Sequence, residues 1–372
     1  MNIHEIEQSL APVQISLLKA FLQAHQWQNI ANWTRPVSVW QKADEQIKLP
    51  ESKSLKDYYT GLWGVLQTLS KVENISLPSL IETVRGKDIL KIRIIGEDVK
   101  KGRIPLTDGS KLFTGIAQLL QETIKKSANQ LKTLNKEQKK EWAQHYLQQI
   151  ELGQTEIGSY AVNIITPPAS VEYADWVSEN NFFQKNLHDG LQHLLTCIKE
   201  MQHENDIFPF IRHEENFING KLCQTLLDMA GEKQREIEVQ FLTANTSADD
   251  QLSPVLISRK NWQPITLAYQ YFKGAEIMQP DYTLAGDITD LHRDAAIDNN
   301  GNRQELADCV YRITILTIFN KKPRKVSIEL NKDDYQKALT AHDAHQQVRC
   351  RGDLLISPRR AKMENLKVFE TL

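Results

Sequence analysis

The chain has 372 residues, 41% hydrophobic and 25% charged, with a net charge of −2. That composition fits a globular protein and excludes a disordered or fibrous chain and a uniformly basic nucleic-acid coat. The length suggests two or three domains of roughly 150 residues each.

No apolar run approaches the ~20 residues of a membrane span. The opening MNIHEIEQSL has Glu5 and Glu7 where a signal peptide needs basic residues. A cytoplasmic protein without membrane contact is therefore expected. Cys197, Cys223, Cys309 and Cys350 form no CxxC pair and stand at no zinc-finger spacing, which favours buried thiols over metal ligands.

Leu17, Leu18, Phe21 and Leu22 share one face of a helix predicted over residues 14–25. Trp33, Val37, Val39 and Trp40, then Ile47 and Leu49, predict two short strands around the turn KADE, closed by Pro50. Helical stripes return over residues 55–69, through Tyr58, Leu62, Val65, Leu66 and Leu69, and again over 77–84. In ILKIRII, Leu90, Ile92 and Ile94 alternate with Lys91 and Arg93. Gly96 follows, and Gly102, Ile104, Pro105 and Leu106 read as a second extended piece, so a hairpin is expected.

Thr107 or Asp108 is placed to cap a long helix carrying Leu112, Ile116, Leu119, Leu120 and Ile124. A further helix over 136–150 presents Trp142, Tyr146 and Ile150. The stretch LGQTEIGSYAVNIITPP alternates Ile157, Ser159, Ala161 and Asn163 against Gly158, Tyr160, Val162 and Ile164, up to Pro167 and Pro168. It predicts a strand buried on one face. Strand pairs followed by helices make residues 1–170 an α+β domain. Residues 171–279 read as a mainly helical middle region, with helices over 182–201 and 221–229. Strands over 237–242 and 255–257 flank an exposed loop, TANTSADDQLS.

Residues 280–372 show the clearest order of elements. A first strand, TLAGDITDLHR, has Gly286 where a barrel strand bends sharply. The loop DNNGNRQE leads to CVYRITILTIF, and NKKP leads to KVSIEL. Asn331 caps a helix over 332–342, and QVRCRGDLLIS and LKVFETL follow, separated by PRRAKMEN. Five strands with a helix between the third and fourth, GDI in the first and VRCRGDL in the fourth, resemble the OB-fold, the oligonucleotide- and oligosaccharide-binding barrel. The expected class is α+β multidomain: an N-terminal α+β region, a helical middle and a C-terminal five-stranded OB-like β-barrel. The resemblance implies a binding surface for DNA, RNA, sugar or protein, and the site must decide among them.

If Val326, Ile328 and Val348 point inward, Lys325, Arg349 and Arg351 point outward, and Arg312 joins them. Lys321, Lys322, Arg324, Arg359 and Arg360 stand in loops that border the same groove. Residues 303–372 hold 14 Lys and Arg against 9 Asp and Glu, and guanidinium forks suit phosphate oxygens. These nine residues are the candidate nucleic-acid-binding site of a non-catalytic subunit. Only Tyr311, Phe319 and His292 offer rings, so phosphate tracking is expected over base stacking.

Basic residues on strands also solvate and protect edges, which leaves a structural protein that self-associates or docks a partner as the alternative. The segments WTRPVSVWQ, IIGEDVKKGRIPL and LGQTEIGSY are similar to stretches of uncharacterised bacterial proteins, and the setting this suggests is antiphage defence.

No catalytic motif is complete. His213, Glu214 and Glu215 would need a histidine at position 217 for a zinc site, and Phe217 stands there. His188 and Asp189 lack the second half of a phosphohydrolase pair. Asp287, Asp290, His292 and Asp294 supply carboxylates for a cation, but strand alternation sets Asp287 and Asp290 on opposite faces. Gly102, Gly109 and Gly115 fit no phosphate loop. No cofactor and no metal are expected, and a metal-dependent nuclease is the remaining enzymatic alternative.

Overall fold

The computed structural model describes residues 3–32, 36–132, 134–153, 160–166, 182–212, 217–242, 252–297, 303–305, 309–319 and 322–372. Trp33, Ile157 to Ser159, Pro167 and Pro168, His213 to Glu215, most of the loop TANTSADDQLS and Lys321 lie outside them. The chain divides into two compact units, one of residues 1–192 with 225–259 and one of residues 193–224 with 260–372. Among the described residues no helix is long and apolar enough to cross a membrane.

The first unit opens with helices α1 (Ile3–Leu10) and α2 (Ile15–Ala24) and a three-stranded meander, β1 (Gln28–Asn32), β2 (Val37–Lys42) and β3 (Glu45–Pro50). Helices α3 (Tyr58–Val72) and α4 (Leu77–Val84) follow. The helical stripes meet here: Leu18, Leu22, Leu49, Leu62, Leu66 and Leu69 are wholly enclosed in one core. Strand β1 was not foreseen, because its residues QNIAN are mostly exposed and carry no apolar alternation.

A carboxylate closes this subdomain. Glu73, whose side chain is 6% exposed, accepts hydrogen bonds from Trp27 Nε1 at 2.7 Å, Lys42 Nζ at 2.9 Å and His25 Nδ1 at 3.0 Å. Burial alone would raise its pKa. The bonds from His25, Lys42 and Trp27 outweigh that and bring it down to about 2.

The chain continues through β4 (Asp88–Ile95), α5 (Leu106–Gln130), α6 (Lys136–Gln148), β5 (Glu151–Leu152) and β6 (Tyr160–Thr166). Then come α7 (Phe182–Glu200), α8 (Phe208–Arg212), α9 (Gly220–Ala230), β7 (Glu236–Leu242) and β8 (Val255–Ile257). The five strands form an antiparallel sheet in the order β5-β6-β4-β7-β8. Two expectations are corrected here. The hairpin over residues 89–106 does not form, because both edges of β4 are taken by β6 and β7. Strand β6 is buried on both faces, Ala161 and Asn163 as well as Val162 and Ile164.

The segment that was to be the hairpin's second arm is pinned by charge instead. Arg235, 1% exposed, donates from Nη2 to Asp98 at 2.7 Å and to Asp108 at 2.5 Å, and from Nε to Asp98 at 3.1 Å. Asp108 therefore serves as an acceptor for Arg235 in the first turn of α5, where a capping role was expected.

The second unit contains α8 and α10 (Trp262–Phe272), the long strand β9 (Ile277–Arg293), the short pair β10 (Ala295–Ile297) and β11 (Arg303–Glu305), then β12 (Tyr311–Phe319) and β13 (Lys322–Leu330). Helix α11 (Lys332–Asp343), β14 (Val348–Ile356) and β15 (Ala361–Thr371) complete it. Five strands close into a barrel in the order β12-β13-β15-β14-β9. All neighbours are antiparallel except β13 and β15, which run parallel through Ser327↔Lys362 and Ile328↔Met363.

The alternation read from the sequence is the alternation of the barrel: Ile313, Ile315, Val326, Ile328, Val348 and Leu354 are fully buried. Strand β15 starts five residues earlier than LKVFETL suggested, so the β14–β15 connection is a tight turn. Asn331 caps α11 by accepting from Asp334 N at 2.8 Å. A Cβ on Gly286 would lie 2.2 Å from Leu316 O, and one on Gly352 2.7 Å from Glu364 O. Neighbouring strands thus approach at these two points more closely than any side chain allows.

Candidate anion-binding site on the barrel

The basic side chains of the barrel wall face outward, and each meets an acid. Arg312 Nη2 lies 3.1 Å from Glu329 Oε1, its direct partner in the β12–β13 register. Arg349 Nη1 lies 3.8 Å from Glu370 Oε2, again directly opposite. Lys325 Nζ reaches Asp290 Oδ2 at 3.2 Å. Arg351 grips Asp281 with its guanidinium fork, Nε to Oδ1 at 2.9 Å, and Lys367 adds a contact of 3.1 Å to the same carboxylate. Those two cations, Arg351 foremost, bring the Asp281 carboxyl down to about 2.

Charge along the wall therefore alternates. Counted from the start of β9, residues 277–372 hold 15 Lys and Arg against 14 Asp and Glu, so the local basic excess nearly vanishes.

At one end of the barrel several cations converge, Lys325 with its Asp290 partner among them. Lys322, Arg324, Lys325 and Arg359 line a cavity of about 320 Å³ together with Ile211, Phe319, Pro323 and Pro358. Among the described residues no carboxylate lines it. The fold explains the convergence. The parallel pairing of β13 with β15 sets the first residues of β13 beside the β14–β15 turn. That turn is fastened by Ser357 N donating to Arg360 O at 2.9 Å and Arg360 N donating to Ser357 Oγ at 3.2 Å. Arg324 donates to the carbonyl of Ser357 and ties the two turns together. Arg360 is exposed on the same turn outside the cavity lining.

An aromatic cluster adjoins this end. The rings of Phe208 and Tyr282 stack at 4.8 Å with 21° between their planes. Phe319 lies 5.7 Å from Phe208 and 6.2 Å from Tyr282. Phe208 and Tyr282 are not among the rings that the strand pattern points to. Phe208 belongs to α8, more than sixty residues before the barrel strands, and nothing local marks it as their neighbour. Of the three rings anticipated, Tyr311 is buried against Tyr335 at 5.0 Å. Phe319 is buried beneath the cluster. His292 is exposed and pairs with Asp294 at 2.9 Å.

The other chemical candidates do not assemble. A bulge in β9 at Thr289 shifts the register, so Asp287 and Asp290 both face outward, against the opposite-face expectation. Among the described residues no group of three or more His, Cys, Asp or Glu could hold a metal ion. His188 contacts its neighbour Asp189 at 3.1 Å and packs edge-on against Phe241. Burial pushes the thiols of Cys197, Cys223 and Cys350 up to about 12, so they remain protonated at neutral pH. Comparison with family models, with curated proteins and with solved structures finds no match.

Proposed function

We propose that the C-terminal barrel is an OB-fold and that the protein is a non-catalytic nucleic-acid-binding subunit, holding phosphate groups at the cationic end of that barrel. The ring order, the helix between the third and fourth strands, and the close-approach glycines Gly286 and Gly352 support the fold reading. The observation that carries the functional reading is the cavity: Lys322, Arg324, Arg359 and Lys325, the last also paired with Asp290, converge on one space whose lining, among the described residues, includes no carboxylate. Arg324, fixed by the Ser357 carbonyl, presents its remaining donors in a set plane, which suits phosphate oxygens.

Fluorescence anisotropy with a mixed-sequence oligonucleotide tests this. Lys322→Glu with Arg359→Glu is expected to weaken binding by about tenfold or more, and the slope of log affinity against log salt becomes shallower. Unchanged affinity in that variant, with an unchanged melting curve, overturns the reading.

The wall supports a second reading, docking of a partner protein. Ile318, 73% exposed, and Met278, 50% exposed, lie on the outer face of the barrel strands, and a balanced charged surface with scattered apolar contacts suits protein recognition. Self-association that persists in light scattering at both low and high salt, without retained nucleic acid, favours it.

A further inference from the structure

We infer that the nucleic acid engaged at the cationic cavity is single-stranded, with a base laid against the Phe208–Tyr282 rings while its phosphate sits among Lys322, Arg324 and Arg359. This rests on the proposed nucleic-acid role and specifies its ligand. Phe319 is the shared element: it lines the cavity and is the third ring of the cluster. Helix α8 makes the same connection from the other side, supplying Ile211 to the cavity wall and Phe208 to the stack.

The helix is held against the barrel. Gln279 Nε2 donates to Asn205 O at 2.6 Å, and Asp206 accepts from Gln202 N at 3.0 Å and from Phe208 N at 3.1 Å. Phe319 is buried, whereas Phe208 and Tyr282 are only partly covered, so the open part of the cluster is the Phe208–Tyr282 pair. Rings kept partly in water beside converging cations can meet a nucleotide at both of its chemical ends, the flat base and the anionic phosphate. An intact duplex keeps its base faces inside the helix and offers this site only phosphates.

Four probes of equal length decide it: oligo-dT, oligo-rU, an abasic deoxyribose-phosphate chain, and a duplex. Oligo-dT or oligo-rU is expected to bind about tenfold or more tightly than the abasic chain, as one or two stacked bases would provide. The better of the two identifies the sugar. The duplex is expected to match the abasic chain.

Tyr282→Leu keeps apolar bulk against Phe208 but removes the ring; it is expected to erase the preference and leave abasic binding unchanged. Phe208→Leu, checked for an unaltered melting curve, is expected to do the same. Equal affinity for the abasic chain and oligo-dT, or a Tyr282→Leu variant that weakens both alike, overturns the inference while leaving the nucleic-acid role standing. Failure of all four probes to bind overturns that role itself.

Discussion

Among the described residues, the first unit has a kind of charge pairing that the barrel wall lacks. Beside open pairs such as Lys100 with Glu97, it folds two ionic groups into closed knots: Glu73 is 6% exposed beneath three donors, and Arg235 is 1% exposed between Asp98 and Asp108. In the second, the pairs lie in the open, with Arg312 45% and Glu329 48% exposed, and the cavity end gathers cations with no carboxylate among the described lining residues. An enclosed pair cannot change partners without unfolding its surroundings, since a buried charge left alone costs several kcal/mol. An exposed pair is worth ~0–1 kcal/mol and exchanges readily. The contrast separates charge that holds the fold from charge that can meet a ligand.

The sharpest way to break the contrast is at Arg235. Its hydrogen bonds hold the Asp98 carboxyl well below the usual carboxylate range, and Arg235→Leu takes the shared guanidinium from Asp108 and leaves Asp98 to Lys233 in a partly enclosed site. A loss of ~3–5 kcal/mol in urea unfolding is expected; a loss under ~1 kcal/mol would place this knot with the surface pairs.

Glu73→Gln comes next, at ~2 kcal/mol near neutral pH. The folded-state pKa of Glu73 is lowered from 4.5 to about 2. Its contribution is therefore complete above pH 4.5 and is lost as the pH falls towards about 2. Stability curves of the parent and the Gln variant should converge across that window. The smallest effect belongs to the wall. Arg312→Ala is expected to change stability by no more than ~0.5 kcal/mol in the same unfolding assay. Arg349→Glu with Arg351→Glu should weaken oligonucleotide binding less than Lys322→Glu with Arg359→Glu.

The barrel was legible from sequence because water wets its outer face. Inward Val326, Ile328 and Val348 alternate with outward Lys325, Arg349 and Arg351, and period-two patterning survives. The central sheet of the first unit hides that signal. Strand β6 is covered on both faces, so Ala161 and Asn163 are as buried as Val162 and Ile164, and the polar residues no longer mark a solvent side. The neighbours of β4 come from residues 160–166 and 236–242, and a pairing that distant leaves no trace beside residues 96–106, where the hairpin was expected.

The site was legible in part for the same reason. Arginine and lysine declare themselves by type, but Glu329, Glu370 and Asp281 become their partners only through strand register. The bulge at Thr289, which turns Asp290 outward towards Lys325, has no signature in DITDLHR. Phe208 reaches the barrel through a helix that the strand pattern does not include.

The parallel junction of β13 and β15 is the thinnest seam of the ring, with two registered residue pairs where the antiparallel junctions have six or more. Few hydrogen bonds hold it, so transient opening of the barrel should begin there. In native-state hydrogen exchange, amides of β13 and β15 near Ser327 and Lys362 should exchange before those joining β12 to β13. The cationic cavity sits at the mouth of this seam, between the start of β13 and the β14–β15 turn. A phosphate bridging Lys322 and Arg359 would act as a staple across it, and protection of those amides would then report occupancy of the cavity directly.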